Sequence, residues 1–257
     1  MRPFSLTLPA IIMTSAALTL AGGLPLLASS SDHRIETSAR SSYNFKVYLK
    51  DDNIKVVSAG GAVTLTGTVS QEYHKSLAQE TLNGLAGVRS VDNQLVVVGD
   101  QPTEHSDKWI TMKVKTALTF HKNVSATETE VTTQNGVVTL TGTAGSEAKK
   151  ELTGAYAMDV EGVTSVRNDL AVAGKPHEGL GEKVDDASIT AQIKTSLLFR
   201  KSTHSLSTRV RTRDGVVTLH GEARNLAEKD LATKVAEDIK GVKGLKNGMT
   251  IGQPALK

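Results

Sequence analysis

The sequence predicts an α+β protein made of three tandem αββαβ sandwiches, each with two helices packed on a three-stranded sheet. The first observation behind this prediction is a glycine-bounded hairpin strand that occurs three times. The second is an amphipathic helical pattern on either side of each hairpin. The copies begin at Gly60, Asn135 and Asp214 and read GGAVTLTG, NGVVTLTG and DGVVTLHG.

The copies keep a constant register. Gly61, Gly136 and Gly215 occupy the same place in the three copies, and the two offsets between them recur elsewhere. Three further sets obey the same two offsets: Phe45, Phe120 and Phe199; Gly87, Gly162 and Gly241; Asn93, Asn168 and Asn247. Since no gap is needed inside a copy, one module is used three times. The predicted domains are a signal peptide at residues 1–30 and modules at residues 32–99, 106–173 and 185–252.

The N-terminal segment has the pattern of an export signal. Arg2 supplies a positive flank, Leu6 to Leu27 is apolar and rich in small residues, and a polar run follows. Pro9 and Pro25 disfavour an uninterrupted spanning helix. We expect cleavage near residues 28–30 and a periplasmic location, with an uncleaved N-terminal anchor as the alternative.

The first helix and the hairpin are predicted from periodicity. In the first module Ile35, Ala39, Tyr43 and Val47 fall on one face of a helix that runs from Ile35 to about Leu49. The strand Ile54–Val57 follows, and residues 63–67 return with Val63 and Leu65 inward. Asn-Gly and Asp-Gly, in the turns of the other two modules, tolerate the positive φ angles of a tight hairpin.

A second helix and a last strand complete each module. Leu77, Thr81 and Leu85 step along one helical face, as do their counterparts in the other copies. Ser146 is a candidate N-cap, and Asn225 and Glu228 have the spacing of a capping box. The last strand of the first module is predicted at residues 94–98.

The nine recurring glycines are predicted to be structural. Gly61, Gly136 and Gly215 serve the turn. Gly67, Gly142 and Gly221 end a strand at a point where a side chain would meet the neighbouring helix. Gly87, Gly162 and Gly241 are expected to be C-caps of the second helices.

The composition argues against enzymatic chemistry. The chain has no cysteine, which excludes thiol catalysis and disulfides. Its seven histidines do not recur at equivalent positions and lack metal-ligand spacing, so we expect surface histidines, no metal and no cofactor. The Lys-Thr pairs lack the glycines of a phosphate loop. The sequence therefore predicts that the protein is not an enzyme.

The repeated motif resembles the BON family of modules. The resemblance rests on the glycine-bounded strand, on helices ending in Val160-Glu161-Gly162-Val163 or Ile239-Lys240-Gly241-Val242, and on the asparagine before the last strand. It implies a periplasmic, non-catalytic envelope protein of osmotic stress whose modules contact phospholipid membranes. Proteins of that type commonly carry two copies, and this chain departs from them by its third.

Charge separates otherwise equivalent modules. The third is rich in Lys and Arg, and Arg209, Arg211 and Arg213 alternate along one predicted strand, so they project from one face. Arg200 and Lys201 follow the preceding helix beside apolar residues. We predict that these five cations bind anionic phospholipid, although an ordinary solvated face would give the same pattern.

Two alternatives remain open. A protein-binding adaptor or chaperone-like array would use the open sheet faces and exposed strand edges. Nucleic-acid binding is weaker, because the chain is close to neutral at +3 and only 4% aromatic.

Overall fold

The computed structural model describes residues 30–99, 101–173, 183–203 and 207–252. The predicted signal peptide at residues 1–30 lies outside these ranges except for its last residue, where the first helix starts. Residues 174–182, between the second and third predicted modules, also lie outside them.

The three modules repeat one order of elements. Module 1 contains α1 (Ser30–Ser41), α2 (Tyr43–Val47), β1 (Asn53–Ala59), β2 (Ala62–Val69), α3 (Glu72–Asn83), β3 (Ser90–Asn93) and β4 (Val96–Val97). Module 2 contains α4 (Asp107–Thr119), a 3-10 turn (Ala126–Glu128), β5 (Thr129–Gln134), β6 (Val137–Ala144), α5 (Glu147–Met158), β7 (Ser165–Asn168) and β8 (Ala171–Val172). Module 3 contains α6 (Asp186–Leu198), β9 (Ser207–Arg213), β10 (Val216–Ala223), α7 (Leu226–Glu237), β11 (Gly244–Asn247) and β12 (Thr250–Ile251).

Each sheet is mixed. The hairpin strands pair antiparallel, as β1 does with β2, and the last strand joins parallel to the second after crossing over through a helix. The middle strand buries alternate residues against the helices: Val63 and Leu65 are 1% and 0% exposed. The predicted α+β architecture, with two helices on one face of a three-stranded sheet, is confirmed.

The first helix of module 1 differs from its prediction by starting earlier and breaking at Ser42. Ile35, Ala39 and Tyr43 are buried as their spacing predicts. Ser42 is extended, at φ −62° and ψ 152°. The amide of Tyr43 donates to Asp185 Oδ2 of module 3 at 2.7 Å. In a continuous helix this amide would instead donate to a carbonyl of the same helix.

The last strand differs more. It begins at Ser90 and is split, with residues 94 and 95 between its two parts. Asn93 causes the split, because its side-chain oxygen accepts from the Leu95 amide at 3.2 Å while its Nδ2 donates to the Lys75 carbonyl at 3.0 Å. Asn168 and Asn247 make the same two contacts in their modules. The first part of this strand, Ser90–Asn93, was not predicted because Ser-Val-Asp-Asn has the composition of a turn.

The hairpin turn requires positive φ at both central residues. In module 2 these are Asn135 at 52° and Gly136 at 76°, and in module 3 Asp214 at 55° and Gly215 at 82°. This is the geometry that Asn-Gly and Asp-Gly favour.

Two sets of glycines lie elsewhere than predicted. Gly67, Gly142 and Gly221 are inside the second strand rather than at its end. A Cβ on Gly142 would meet the carbonyl of Glu128, the residue just before the partner strand, and not one of the two packed α-helices. Gly87, Gly162 and Gly241 are not helix caps, because the caps are Gly84, Asp159 and Asp238. Gly162 lies beyond its helix cap and packs on Ile110 of the first helix.

The modules pack on one another. One core joins modules 1 and 3 and includes Phe120 from module 2. Helix α6 lies against both its own sheet and α3, and most of its residues are buried. Gly84 permits this approach, since a Cβ there would be 3.1 Å from the Cα and Cβ of Ala187. Helix α6 is therefore an internal element of the whole molecule rather than a surface helix of one module.

Candidate functional site

The outer face of the module 3 sheet, on the side away from its helices, is cationic. Arg209, Arg211 and Arg213 are exposed on β9, whereas Val210 between them is 4% exposed and faces the core. The antiparallel register places them beside His220, Thr218 and Val216 of β10, respectively. Exposed Lys246 extends the same face across the sheet, beside Thr218. We call Arg209, Arg211, Arg213 and Lys246 the basic face.

Equivalent positions in the other modules are not basic. The counterparts of the three arginines are Lys55, Val57 and Ala59 in module 1, and Glu130, Thr132 and Gln134 in module 2. Lys246 corresponds to Asp92 and Arg167, and Arg167 is paired with Asp169 at 2.7 Å. One scaffold thus presents three outer faces, of which only that of module 3 carries a row of cations.

The basic face keeps its charge available. No ion pair found within the described ranges involves its four residues. The acids Asp214 and Glu222 stand at opposite ends of β10, beside the turn and at its last residues. The middle of the face is therefore cationic.

An open groove of about 810 Å³ runs beside β9. Its walls come from the arginine strand, from Thr190 and Lys194 of α6, and from Asn83 and Gly84 at the end of α3. Lys194 is bound to Glu80 at 2.6 Å, so it adds little free charge. Modules 1 and 3 thus meet at the border of the basic face.

Arg200 does not belong to this surface, which corrects the prediction that it binds lipid. Its side chain is 1% exposed. The guanidinium lies over the Tyr156 ring at 4.3 Å and contacts Asp159 at 3.4 Å. Burial lowers the pKa of Arg200, against the opposing effect of Asp159. Lys201 is exposed in the turn after α6, where its amide donates to the Asp159 carbonyl of module 2 at 3.0 Å.

Three aspartates at equivalent positions of the repeat were not predicted from the sequence. Asp32, Asp107 and Asp186 lie in the first turns of the first helices. Their carboxylates accept from the turn amides, as Asp107 does from Asn135 at 2.7 Å and Gly136 at 2.9 Å. Their spacing equals that of the repeated glycines, and this signal could have revealed them. These carboxylates tie the helix to the hairpin on which the basic face is built.

Two histidines predicted to be on the surface are buried beside carboxylates. His74 Nδ1 lies 2.5 Å from Asp52 Oδ2, and His121 Nδ1 lies 3.1 Å from Asp238 Oδ2. Ser70 Oγ is also near His74, but it contacts the same Nδ1 at 3.3 Å. A hydrolase triad needs serine and carboxylate on opposite ring nitrogens, so this cluster is not one.

Metal sites and membrane spans were sought in the part of the chain that the structure describes. No group of three or more candidate ligands could hold a metal ion there. Over the same residues, no helix has both the length and the apolar character to cross a bilayer.

Comparison with known proteins identifies the module. The family model for the BON domain matches residues 31–99, 106–174 and 185–253. Osmotically-inducible protein Y of Escherichia coli is 37% identical over 190 residues, which cover 73% of this chain and 92% of that protein. The 21 kDa hemolysin of Actinobacillus pleuropneumoniae is 33% identical over 44% of this chain and 56% of its own length. Outer membrane lipoprotein DolP of Haemophilus influenzae is 32% identical over 36% of this chain and 49% of its own length.

Proposed function

The chain belongs to the BON domain family, and from that premise we propose that it is a periplasmic envelope protein whose third module binds anionic phospholipid surfaces. The observation that carries the proposal is the basic face, four exposed cations on one sheet where the equivalent faces are mixed or neutral. We also propose that the protein acts during osmotic or envelope stress.

The geometry suits a planar partner. Alternate residues of a strand are about 6.6 Å apart, so the three arginines of β9 span about 13 Å along one line. Lys246 widens this line on the far side of β10. A row that projects from an open sheet face can reach several headgroups at once without any change in the backbone.

The expected affinity of one face is modest. Each cation near an anionic bilayer contributes about 1 kcal/mol, so four give about 4 kcal/mol, which corresponds to a Kd of about 1 mM. Because these charges are solvent-exposed, attachment falls as salt screens them. Such a surface holds a protein reversibly, and it acts best where the membrane concentration is high.

The envelope location draws support from two relatives. One is named for osmotic induction and another for the outer membrane. The apolar N-terminal segment of this chain is consistent with export to the same compartment.

Vesicle co-sedimentation tests the proposal. The chain from Ser30 onward is mixed with neutral vesicles and with vesicles that contain anionic phospholipid, at low and high salt. We expect binding only to the anionic vesicles and only at low salt. Changing Arg209, Arg211 and Arg213 to Glu should abolish this binding and leave the circular dichroism spectrum unchanged.

The matched control changes three exposed cations of module 1, Arg34, Arg40 and Lys50, to Glu. Both triple variants alter the net charge by the same amount, since each replaces three cations with three acids. Binding that survives in the module 3 variant, or that disappears equally in both, contradicts the assignment to the basic face.

A further inference from the structure

Modules 2 and 3 contact each other through equivalent residues: in each module, the segment after the first helix contacts the aspartate at the end of the other module's second helix. Three consecutive residues that follow α4, His121 to Asn123, face Asp238. Their counterparts in module 3, Arg200 to Ser202, face Asp159. The amides of Lys122 and Lys201 donate to the carbonyls of Asp238 and Asp159 at 2.8 and 3.0 Å. The two modules are therefore related by a local twofold arrangement.

The two halves differ at the first and third of these positions. Asn123 and Ser202 both donate to the facing aspartate, whereas His121 and Arg200 differ in charge. These two side chains meet at the centre, with Arg200 Nη2 3.0 Å from His121 Nε2. A guanidinium only donates, so Nε2 of His121 must accept. The ring is then neutral with its proton on Nδ1, next to Asp238.

The charged and titratable groups around His121 come from three helix ends and one helix face. Asp238, which caps α7, lies at Nδ1, Arg200 lies at Nε2, and Tyr156 of α5 stacks on the ring at 4.1 Å. Asp159 stands behind Arg200. Asp238 also accepts from the Tyr156 hydroxyl at 2.9 Å and from Asn123, so its carboxylate is shared.

A second proton on His121 is incompatible with this packing. It would occupy Nε2, where Arg200 already donates, and would place two cations 3.0 Å apart in a site where both side chains are fully buried. Burial, the largest effect, and Arg200 both lower the pKa of His121, and the opposing contribution of Asp238 does not cancel them.

We propose that the junction between modules 2 and 3 is a pH-sensitive latch, closed while His121 is neutral and opened when acid protonates it. Opening separates the carboxylates of Asp159 and Asp238 from their partners on the opposite module and exposes the ring of Tyr156. Phe120, which packs on Tyr48 and Tyr73 of module 1, lies next to the latch, so opening also loosens the junction with module 1.

The direction with pH follows from linkage. The closed state holds His121 at a lower pKa than the open state, whose value is about 6.5. The latch is thus at full strength above about pH 6.5 and weakens as pH falls towards the closed-state pKa. Over that interval the ratio of open to closed molecules rises on the order of tenfold per pH unit.

Pulsed distance measurements test the latch. Because the chain has no cysteine, spin labels can be placed at Ser165→Cys in module 2 and Asp230→Cys in module 3, both exposed. We expect one distance at pH 7.5 and a second, longer population that grows between pH 6.5 and pH 5. Circular dichroism at each pH checks that the modules stay folded.

Substitutions assign the effect to His121. His121→Asn places a side chain that stays uncharged over this pH range and should hold the junction closed throughout, as should His121→Gln if the first variant does not fold. His74→Gln removes a buried histidine that faces Asp52 inside module 1, and this variant should respond as the unsubstituted chain does. A junction that stays closed at pH 5 in the unsubstituted chain overturns the proposal. Equal opening in the His121 variants also overturns it.

Discussion

At the scale of single residues, comparing equivalent positions of the three modules separates residues required by the backbone geometry from residues that differ because their surroundings differ. Gly67, Gly142 and Gly221 all have a positive φ, 117° at Gly142. At Gly67 and Gly142 the neighbouring backbone also leaves no room for a Cβ. Arg200 and His121 are also equivalent positions, yet they differ because their surroundings belong to a different module. The glycine that recurs in all three copies serves the fold of each module, whereas Arg200 and His121, which differ, serve the contact between modules 2 and 3.

Gly142→Ala tests this view. The new Cβ would overlap the Glu128 carbonyl oxygen, and the backbone would have to leave its left-handed φ. We expect a loss of about 3 kcal/mol or more in the free energy of unfolding, measured by urea denaturation. Gly244→Ala is the matched control, because a Cβ at Gly244 would meet no atom within 4 Å. A cost for Gly142→Ala no larger than that for Gly244→Ala would contradict the steric explanation.

Residue patterns predicted some of the candidate site and missed the rest for a physical reason. Strand alternation was sufficient to place Arg209, Arg211 and Arg213 on one exposed face. The burial of Arg200 and His121 could not be predicted, because it depends on which modules touch, and a charge pattern within one module carries no information about its neighbour. The turn-binding aspartates could have been found, since they follow the repeat offsets.

At the scale of elements, helix ends and strand breaks are set by particular side chains. Ser146 caps α5 by accepting from the Lys149 amide at 3.3 Å, as predicted. The capping box predicted for α7 is displaced by one residue. Asn225 accepts from the Glu228 amide at 2.8 Å, but Glu228 accepts from the amide of Arg224 rather than from that of Asn225. Helix existence followed from periodicity, whereas the last strand was misplaced because Asn93 redirects it.

Glu228 provides a prediction with a defined pH dependence. Burial alone would raise the pKa of Glu228, but hydrogen bonds from the Arg224 side chain and amide outweigh it, so the pKa is lowered. The stabilisation is therefore present above the unfolded-state pKa of about 4.3 and is lost as pH falls through the lower folded-state value. Because the Arg224 side chain is exposed, we expect Glu228→Gln to cost only about 1 kcal/mol at pH 7.

Thermal unfolding at pH 7 and pH 3 measures this difference. We expect the difference in Tm between the unsubstituted chain and Glu228→Gln to be smaller at pH 3 than at pH 7, because the carboxylate becomes protonated. Glu147→Gln, in the first turn of α5, removes an exposed acid from an equivalent helix end and controls for the loss of charge alone. A gap that is unchanged at pH 3 would mean that the contacts of ionised Glu228 are not responsible.

At the scale of the whole molecule, three copies of one module have different surroundings. Module 1 shares a core with module 3 through α3 and α6, and module 2 joins module 3 through the latch residues around His121 and Arg200. Module 3 is thus held from two sides by its helices and helix ends, while its sheet face remains outward. Its basic face therefore stays exposed while the other two modules pack on its helices and helix ends.

The most direct test of the central claim compares the three outer faces in one experiment. Thr64, Thr139 and Thr218 are equivalent, half-buried residues on the middle strand of each sheet. Each is changed to cysteine in a separate variant of this cysteine-free chain and labelled with an environment-sensitive fluorophore. Vesicles containing anionic phospholipid are then added at low salt. If the basic face binds the vesicles, we expect a blue-shifted, brighter signal from the label at position 218 alone, and high salt should reverse it. A stronger response from position 64 or 139, or an equal response from all three, would contradict it.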